Sequence, residues 1–364
     1  MADNSTSVIL LSRGDSIGLT LVAESAFLSL VSVLVVLGLL IRNAFRNGYL
    51  IKRPVDLFMI SLFLFDLVMA LGHTIDVKWV NEERLYQGGY CTAQGAIQQF
   101  GELGSSLATL AIAIHTFIGV MWGKLGKNFV FAYLVVGATW IFVILFVALG
   151  IALNTTSTEH YMTTDGFWCW IGTKYEAEQY AGEYAWLWTT MFVSLLTYSL
   201  LFLWARGNLT VSPTQWWNIR IHRALPDRVD PSAGKTRSAK MIAYPIAYAT
   251  VVLPLSVVRF RSGFGAEKHH IPHAWTFAVQ FLYSLSGALN VLLFLTTRSG
   301  LLLPKTTPGK SKQLWQPADE DEEKGPGMES ESLRHSPLER PVSRGERPIA
   351  LAALPGVEDS SDDW

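Results

Sequence analysis

The chain has 364 residues and a formal charge of −1; half of its residues are apolar and only 16% are charged. Its mean hydropathy is positive. A water-soluble chain of this length carries roughly a quarter charged residues, so the composition argues against an ordinary soluble domain and points to a membrane protein.

In chain order, residues 1–16 form a short, polar amino-terminal segment. Residues 17–41, "IGLTLVAESAFLSLVSVLVVLGLLI", then run apolar with Glu24 as the single charge. A helix rising about 1.5 Å per residue needs some 20 apolar residues to cross the hydrocarbon core, so this is the first predicted span. Further spans are predicted near 55–76, 92–122, 129–153, 184–204, 239–260 and 273–297, which makes 17–298 a seven-helix, all-α membrane domain. The third opens on the polar stretch "CTAQGAIQQFGELGSS" and is kept as a span because a buried helix tolerates one polar face. Residues 299–364 change composition sharply: acids, serines and prolines dominate, and a disordered acidic tail is expected.

Basic residues set the orientation. Arg42, Arg46, Lys52 and Arg53, then Lys124 and Lys127, then Arg206, Arg220, Arg223, Arg228, Lys235, Arg237 and Lys240 outnumber those of the other side. The amino terminus is therefore expected outside and the tail in the cytoplasm, with the protein multi-pass in the plasma membrane. No cleavable signal is expected, since the start lacks basic residues and the first apolar run is too long. The sequons at Asn4 and Asn154 fall outside, as glycosylation requires, and a third at Asn208 falls inside.

With that topology both cysteines face an oxidising compartment. Cys91 stands at the outer end of the third span and Cys169 in the long loop after the fourth, within "DGFWCWIG". A bridge between them is favoured over two separate thiols. It would close a loop of about 78 residues, and Trp168 and Trp170 would then cap the bundle mouth or sit at the interface.

Several polar residues fall within the spans. Gln94, Gln98, Glu102, Ser105 and Thr109 recur at helical spacing and share one face of the third span. Such a stripe must face the interior, either lining a ligand cavity or bonding to neighbouring helices. Gln98, Glu102, Ser105, His73, Trp168 and Trp170 are the candidate ligand-binding residues. Asp66, mid-way along the second span, is expected to form an interior polar hub with Asn290 of the seventh. Pro245 and Pro254 should kink the sixth span. His269 and His273 in "HHIPH" suit two metal ligands poorly, because Pro272 lies between them, and no metal or other cofactor is expected.

Four segments carry a family resemblance. "GFWCWIG", "LATLAIAIHTFIGV" with His115-Thr116, "KMIAYPIAYATVVLPLSVVRF" and "LYSLSGALNVLLF" with Gly287 and Asn290 resemble the cyclic-AMP-receptor-like and fungal glucose-sensing receptors, over roughly residues 17–298. Two absences separate the chain from the rhodopsin-like pattern. The inner end of the third span reads "GVMWGKLGK" in place of an acidic–arginine–aromatic triplet, and Asn290 has no following proline-tyrosine.

The resemblance implies a receptor that passes an extracellular cue, with nutrient sensing the favoured setting, to the α subunit of a heterotrimeric G protein. The inner end of the sixth span would swing to admit it. Arg220, Arg223, Arg237 and Lys240 are the candidate G-protein contacts, and "QWWNIRIHRAL" suggests a segment lying on anionic lipid. Ser336 and Ser343 are candidate phosphorylation sites. Homo-oligomers stay open; nucleic acid is not expected as a partner. The alternative is a seven-span transporter, though not a retinal one, since residues 273–297 hold no lysine. No nucleotide loop, zinc-protease pair or nucleophile–base arrangement suggests an enzyme.

Overall fold

Serine and aspartate begin the first helix. The Asp15 N–H donates to the Ser12 hydroxyl oxygen at 3.2 Å, and the Ser12 N–H donates to the Asp15 carboxylate at 3.1 Å, a reciprocal cap on two otherwise orphaned donors. In this computed structural model the described residues are 8–48, 50–122, 128–154, 160–206, 208–211, 219–221, 231–263 and 271–297. The chain divides into two units, Met1–Thr306 and Thr307–Trp364, and every described residue belongs to the first.

The elements run β1 (Ile9–Leu10), α1 (Arg13–Asn47), α2 (Pro54–Thr74), α3 (Val77–Glu82), β2 (Arg84–Leu85), α4 (Gly89–Trp122) and α5 (Phe129–Leu153). The hairpin β3 (Met162–Thr164) and β4 (Cys169–Ile171) follows. A 3-10 turn (Thr173–Tyr175), α6 (Glu176–Gln179) and a π turn (Tyr180–Tyr184) then lead into α7 (Ala185–Ala205). After these come β5 (Leu209–Val211), β6 (Ile219–Ile221), α8 (Pro231–Gly263), α9 (His273–Ser284) and α10 (Ser286–Thr297). Each strand pair is a two-stranded antiparallel ladder: β1 with β2, β3 with β4 and β5 with β6.

Seven long helical units make the bundle: α1, α2, α4, α5, α7, α8 and the α9–α10 pair. Among the described residues, six helical stretches are long and apolar enough to cross a membrane; α8 is the seventh helix. Large apolar side chains such as Phe27, Leu134, Leu153, Phe192 and Val257 point away from the bundle and stay exposed. In water such a belt would be untenable, whereas hydrocarbon accepts it.

The third span, α4, is the central helix and packs on α2, α5 and α7. Its approach to α2 depends on glycine. A Cβ on Gly101 would lie 2.4 Å from the Met69 backbone, and one on Gly104 would lie 2.0 Å from the Phe65 ring. Small residues let membrane helices come this close. The freed space is filled by Phe65, whose ring stacks on Trp140 of α5 at 4.4 Å, while the Trp140 indole N–H donates to Ser61 at 2.9 Å.

The structure departs from the sequence-based elements most clearly at the seventh span, the fifth span and the third inner loop. The seventh is not one helix: it breaks at Leu285, between α9 and α10. The fifth starts earlier than 184, because the 3-10 turn, α6 and the π turn continue it toward residue 173. Within the interval read as a membrane-surface segment, Ile219–Ile221 is a strand paired with Leu209–Val211.

Candidate functional site

Asp66 of α2 has no solvent exposure. Its carboxylate accepts from the Ser105 hydroxyl at 2.6 Å and from the Asn290 amide at 2.8 Å, which joins three helices at one acid. A buried carboxylate requires such donors. Gly287 lets α10 come near: a Cβ there would sit 3.5 Å from the Asp66 Cβ and 3.3 Å from that of Ser29.

The polar stripe of α4 is buried as the spacing requires, and most of it is turned toward α2. Gln98 donates to the Gly72 carbonyl at 3.2 Å and stands 3.1 Å from His73 Nδ1. Glu102 Oε1 lies 3.1 Å from His73 Nε2. Gln94 donates to Asp76 and accepts from the Trp79 indole N–H, the latter at 2.6 Å. For Gln94, Gln98 and His73 the helix–helix bonding alternative therefore describes the contacts. Glu102, Ser105 and Thr109 differ, because they also line open space.

That space is a cavity of about 50 Å³ among α2, α4, α7, α8, α9 and α10. It holds room for a few water molecules. Glu102 stands on its wall with Tyr248, Tyr283, Ser194 and Asn290, so one cavity touches both the polar centre near His73 and the Asp66 hub.

A disulfide between Cys91 and Cys169, with Cα atoms 5.3 Å apart, ties β4 to the start of α4. The tethered hairpin closes that end of the bundle. Trp168 and Trp170 are both buried, and the Arg259 guanidinium lies over each ring at 5.0 and 4.9 Å. Arg259 donates to Asp165 at 2.6 Å, which fastens α8 to the turn of the hairpin. Neither tryptophan lines the cavity.

The remaining candidates are placed as follows. Pro245 and Pro254 both lie inside α8. Arg220 is on β6, and Arg237 and Lys240 are in the first third of α8. Asn154 follows α5, and its side-chain amide donates back to the Gly150 carbonyl at 2.7 Å. His273 stands 2.7 Å from Asp15 across the α1–α9 contact. Glu24 is exposed on the outer face of α1. Asn4, Arg223, His269, Ser336 and Ser343 lie outside the described residues.

Sequence reasoning missed Glu183, which is 4% exposed. The predicted fifth span began one residue after it, so it counted as loop. It gave no role to Arg259, at the outer end of the predicted sixth span, whose side chain is 15% exposed. The available signal was an acid directly before the apolar run "YAWLW" and an arginine directly after "PLSVV".

A lipid-facing bundle of seven helices, capped by a disulfide-tethered hairpin and holding an interior cavity, defines a seven-transmembrane receptor. The family model described as "7 transmembrane receptor (rhodopsin family)" matches residues 34–293, and the chain belongs to that family. It is therefore a multi-pass, non-enzymatic receptor that signals through heterotrimeric G proteins. This overturns the resemblance to the cyclic-AMP-receptor-like and fungal glucose-sensing group. The two absences weighed against the rhodopsin-like pattern concern a few positions, whereas the match spans most of the bundle. No curated protein matches the chain.

Proposed function

We propose that the chain is a plasma-membrane receptor that binds a small extracellular molecule, a nutrient or another solute, within its helical bundle. The single observation that carries this reading is the shared cavity, which runs from Glu102 to Asn290 between α4, α7, α8 and α10. Its volume admits water but falls well below the roughly 300–1,000 Å³ of ordinary ligand sites. A ligand seated beside Glu102 must therefore part the helices around it. The helix with two internal prolines, α8, is the natural one to move, since each proline removes a ladder hydrogen bond. Ligand binding and movement of α8 then share one free-energy balance, which is what coupling to a G protein requires.

In this reading the amino terminus is outside, and the basic residues Arg220, Arg237 and Lys240 meet the α subunit. The glycosylation of Asn4 and Asn154 and the phosphorylation of Ser336 and Ser343 belong to the same proposal. The test is nucleotide exchange on the α subunit in membranes carrying the chain, challenged with a panel of sugars, amino acids, amines and lipids. A dose-dependent rise with one chemical class is expected. Exchange that never departs from that of membranes lacking the chain would overturn the reading.

A further inference from the structure

At the disulfide end of α2 the hydrogen bonds fix where a buried histidine carries its proton. Gln98 donates to the Gly72 carbonyl at 3.2 Å. A carbonyl oxygen only accepts, so the Gln98 atom there is the amide nitrogen, and the same nitrogen stands 3.1 Å from His73 Nδ1. His73 Nδ1 must then accept, which leaves the ring's proton on Nε2, 3.1 Å from Glu102 Oε1. In this pattern the imidazole is neutral. Asp76 shows the consequence. Its Oδ1 accepts from Gln94, whereas its Oδ2 is buried, has no hydrogen-bond partner among the described residues and lies 3.9 Å from His73 Nδ1. That distance is too long for a hydrogen bond.

One added proton changes the pattern. A hydrogen on Nδ1 cannot face the Gln98 amide, since both groups would donate. Gln98 cannot turn over without setting its own oxygen against the Gly72 carbonyl. The acceptor left vacant is Asp76 Oδ2, so the charged ring bridges two carboxylates, Asp76 and Glu102. His73, Asp76 and Glu102 are 1%, 0% and 6% exposed, where charges are little screened by water.

We propose that His73, Asp76 and Glu102 form a binding site for a hydrogen ion, and that proton uptake there resets the wall of the cavity. The proposal deepens the receptor reading above, and its consequence for signalling rests on that reading. Glu102 is the link, because it holds His73 and also lines the cavity. Protonation exchanges a bond between α2 and α4, His73 with Gln98, for one at the end of α2, His73 with Asp76. Both helices bound the cavity. The other groups around the centre leave it acidic. Tyr283 of α9 presents its ring 6.5 Å from that of His73. Glu183 of the π turn is within electrostatic reach of His73 and Glu102 and is countered by Arg259 of α8. On α1, Glu24 is exposed and Asp15 is bound to His273. The remaining neighbours of α2, α5 and α10, bring no acid or base.

The test places the full chain in lipid nanodiscs and reads the unfolding midpoint by tryptophan fluorescence at pH steps from about 5.5 to 9, a range that brackets histidine titration. Loss of the proton leaves two buried carboxylates facing a neutral ring, so the midpoint should fall by several degrees as pH rises. In His73→Gln that fall should be lost. Asp76→Asn keeps an acceptor for Gln94 and removes one charge; it should shrink the fall, and it supplies the measurement if the first variant does not fold. His273→Gln, at the exposed pair with Asp15, should keep it. A flat profile in wild type, an undiminished fall in both variants, or a fall lost only in His273→Gln overturns the proposal. Nucleotide exchange is then measured in sealed vesicles whose interior is held at one pH while the exterior is varied. Exchange should change severalfold with exterior pH in wild type and not in His73→Gln. A proton-dependent midpoint beside exchange that ignores pH removes the signalling claim and leaves the site. Exchange that follows exterior pH equally in both variants removes the site and leaves the receptor.

Discussion

Ser29 of α1 donates its hydroxyl hydrogen to the Ser284 carbonyl at 2.6 Å, and the same oxygen accepts the Ala288 N–H at 3.2 Å. In an unbroken helix Ala288 would bond Ser284 directly, four residues back. The hydroxyl is inserted into that rung, which gives the break at Leu285 a side-chain cause of the recognised kind. It also fixes α1 against the seventh span beside the Asp66 hub.

Ser29→Ala should therefore leave a buried carbonyl and a buried N–H without their shared partner. The expected loss is about 1–3 kcal/mol, read as a lower unfolding midpoint in nanodiscs. Ser29→Thr keeps the hydroxyl and should lose less. A midpoint equal to wild type in the alanine variant would show that the two backbone groups find each other without help.

The α2–α4 contact should be the least tolerant of added volume. At Gly101 the obstacle is the Met69 backbone, which cannot move aside as a side chain can, whereas at Gly104 it is the Phe65 ring. Overpacking typically costs about 1–3 kcal/mol, and contact with backbone places Gly101→Ala at the upper end. Surface expression and midpoint should fall more for Gly101→Ala than for Gly104→Ala. The reverse order would mean that the helices, rather than the ring, give way.

These contacts also mark what was legible in the sequence. Seven spans were readable because hydrocarbon demands long apolar runs, and the third survived its polar opening because its polar residues repeat at helical spacing. Cys91 and Cys169 were readable because topology placed both at one rim. The partners of the polar stripe were not, since a period identifies a face without saying which neighbour it meets; Gln98 and Glu102 turned out to share His73. Glu183 was hidden by a boundary one residue off. The break at Leu285 was hidden because Ser29, which occupies the rung, lies 255 positions away. The family was misread because short motifs were weighed above the pattern of the whole bundle.

The hub should behave as one unit. Asn290→Ala removes one of the donors to Asp66, and a hydrogen bond to a charged group is worth about 1.5–3 kcal/mol. Asp66→Asn removes the charge that both donors serve. Because the residues touch, the double variant should be less destabilised than the sum of the singles, by about 0.5–3 kcal/mol. Additive midpoints would show that Asn290 is not energetically tied to Asp66.

The disulfide should hold the hairpin lid rather than the bundle. Chain-entropy reasoning gives about 4–5 kcal/mol for closing a loop of this length, an upper figure because a folded bundle already restrains it. Cys169→Ala should lower the midpoint and loosen Trp168 and Trp170, seen as a red shift of tryptophan emission. The linked peptides should appear in non-reducing maps of wild type. Emission unchanged in the variant would indicate that Arg259 and Asp165 alone retain the lid.

The final expectation concerns the other end of α8. Arg237 and Lys240 are three residues apart on that helix, a spacing that puts them on one face. If they meet the α subunit, reversing both charges should abolish nucleotide exchange, because attraction becomes like-charge repulsion at the contact. Surface level and the unfolding midpoint should hold, since the change lies outside the buried hub and cavity. The alternative is that the two bases only secure the helix end on anionic lipid. In that case the reversal would lower surface level or shift the protein's lipid preference while exchange per receptor stayed constant, and constant exchange removes Arg237 and Lys240 from the contact.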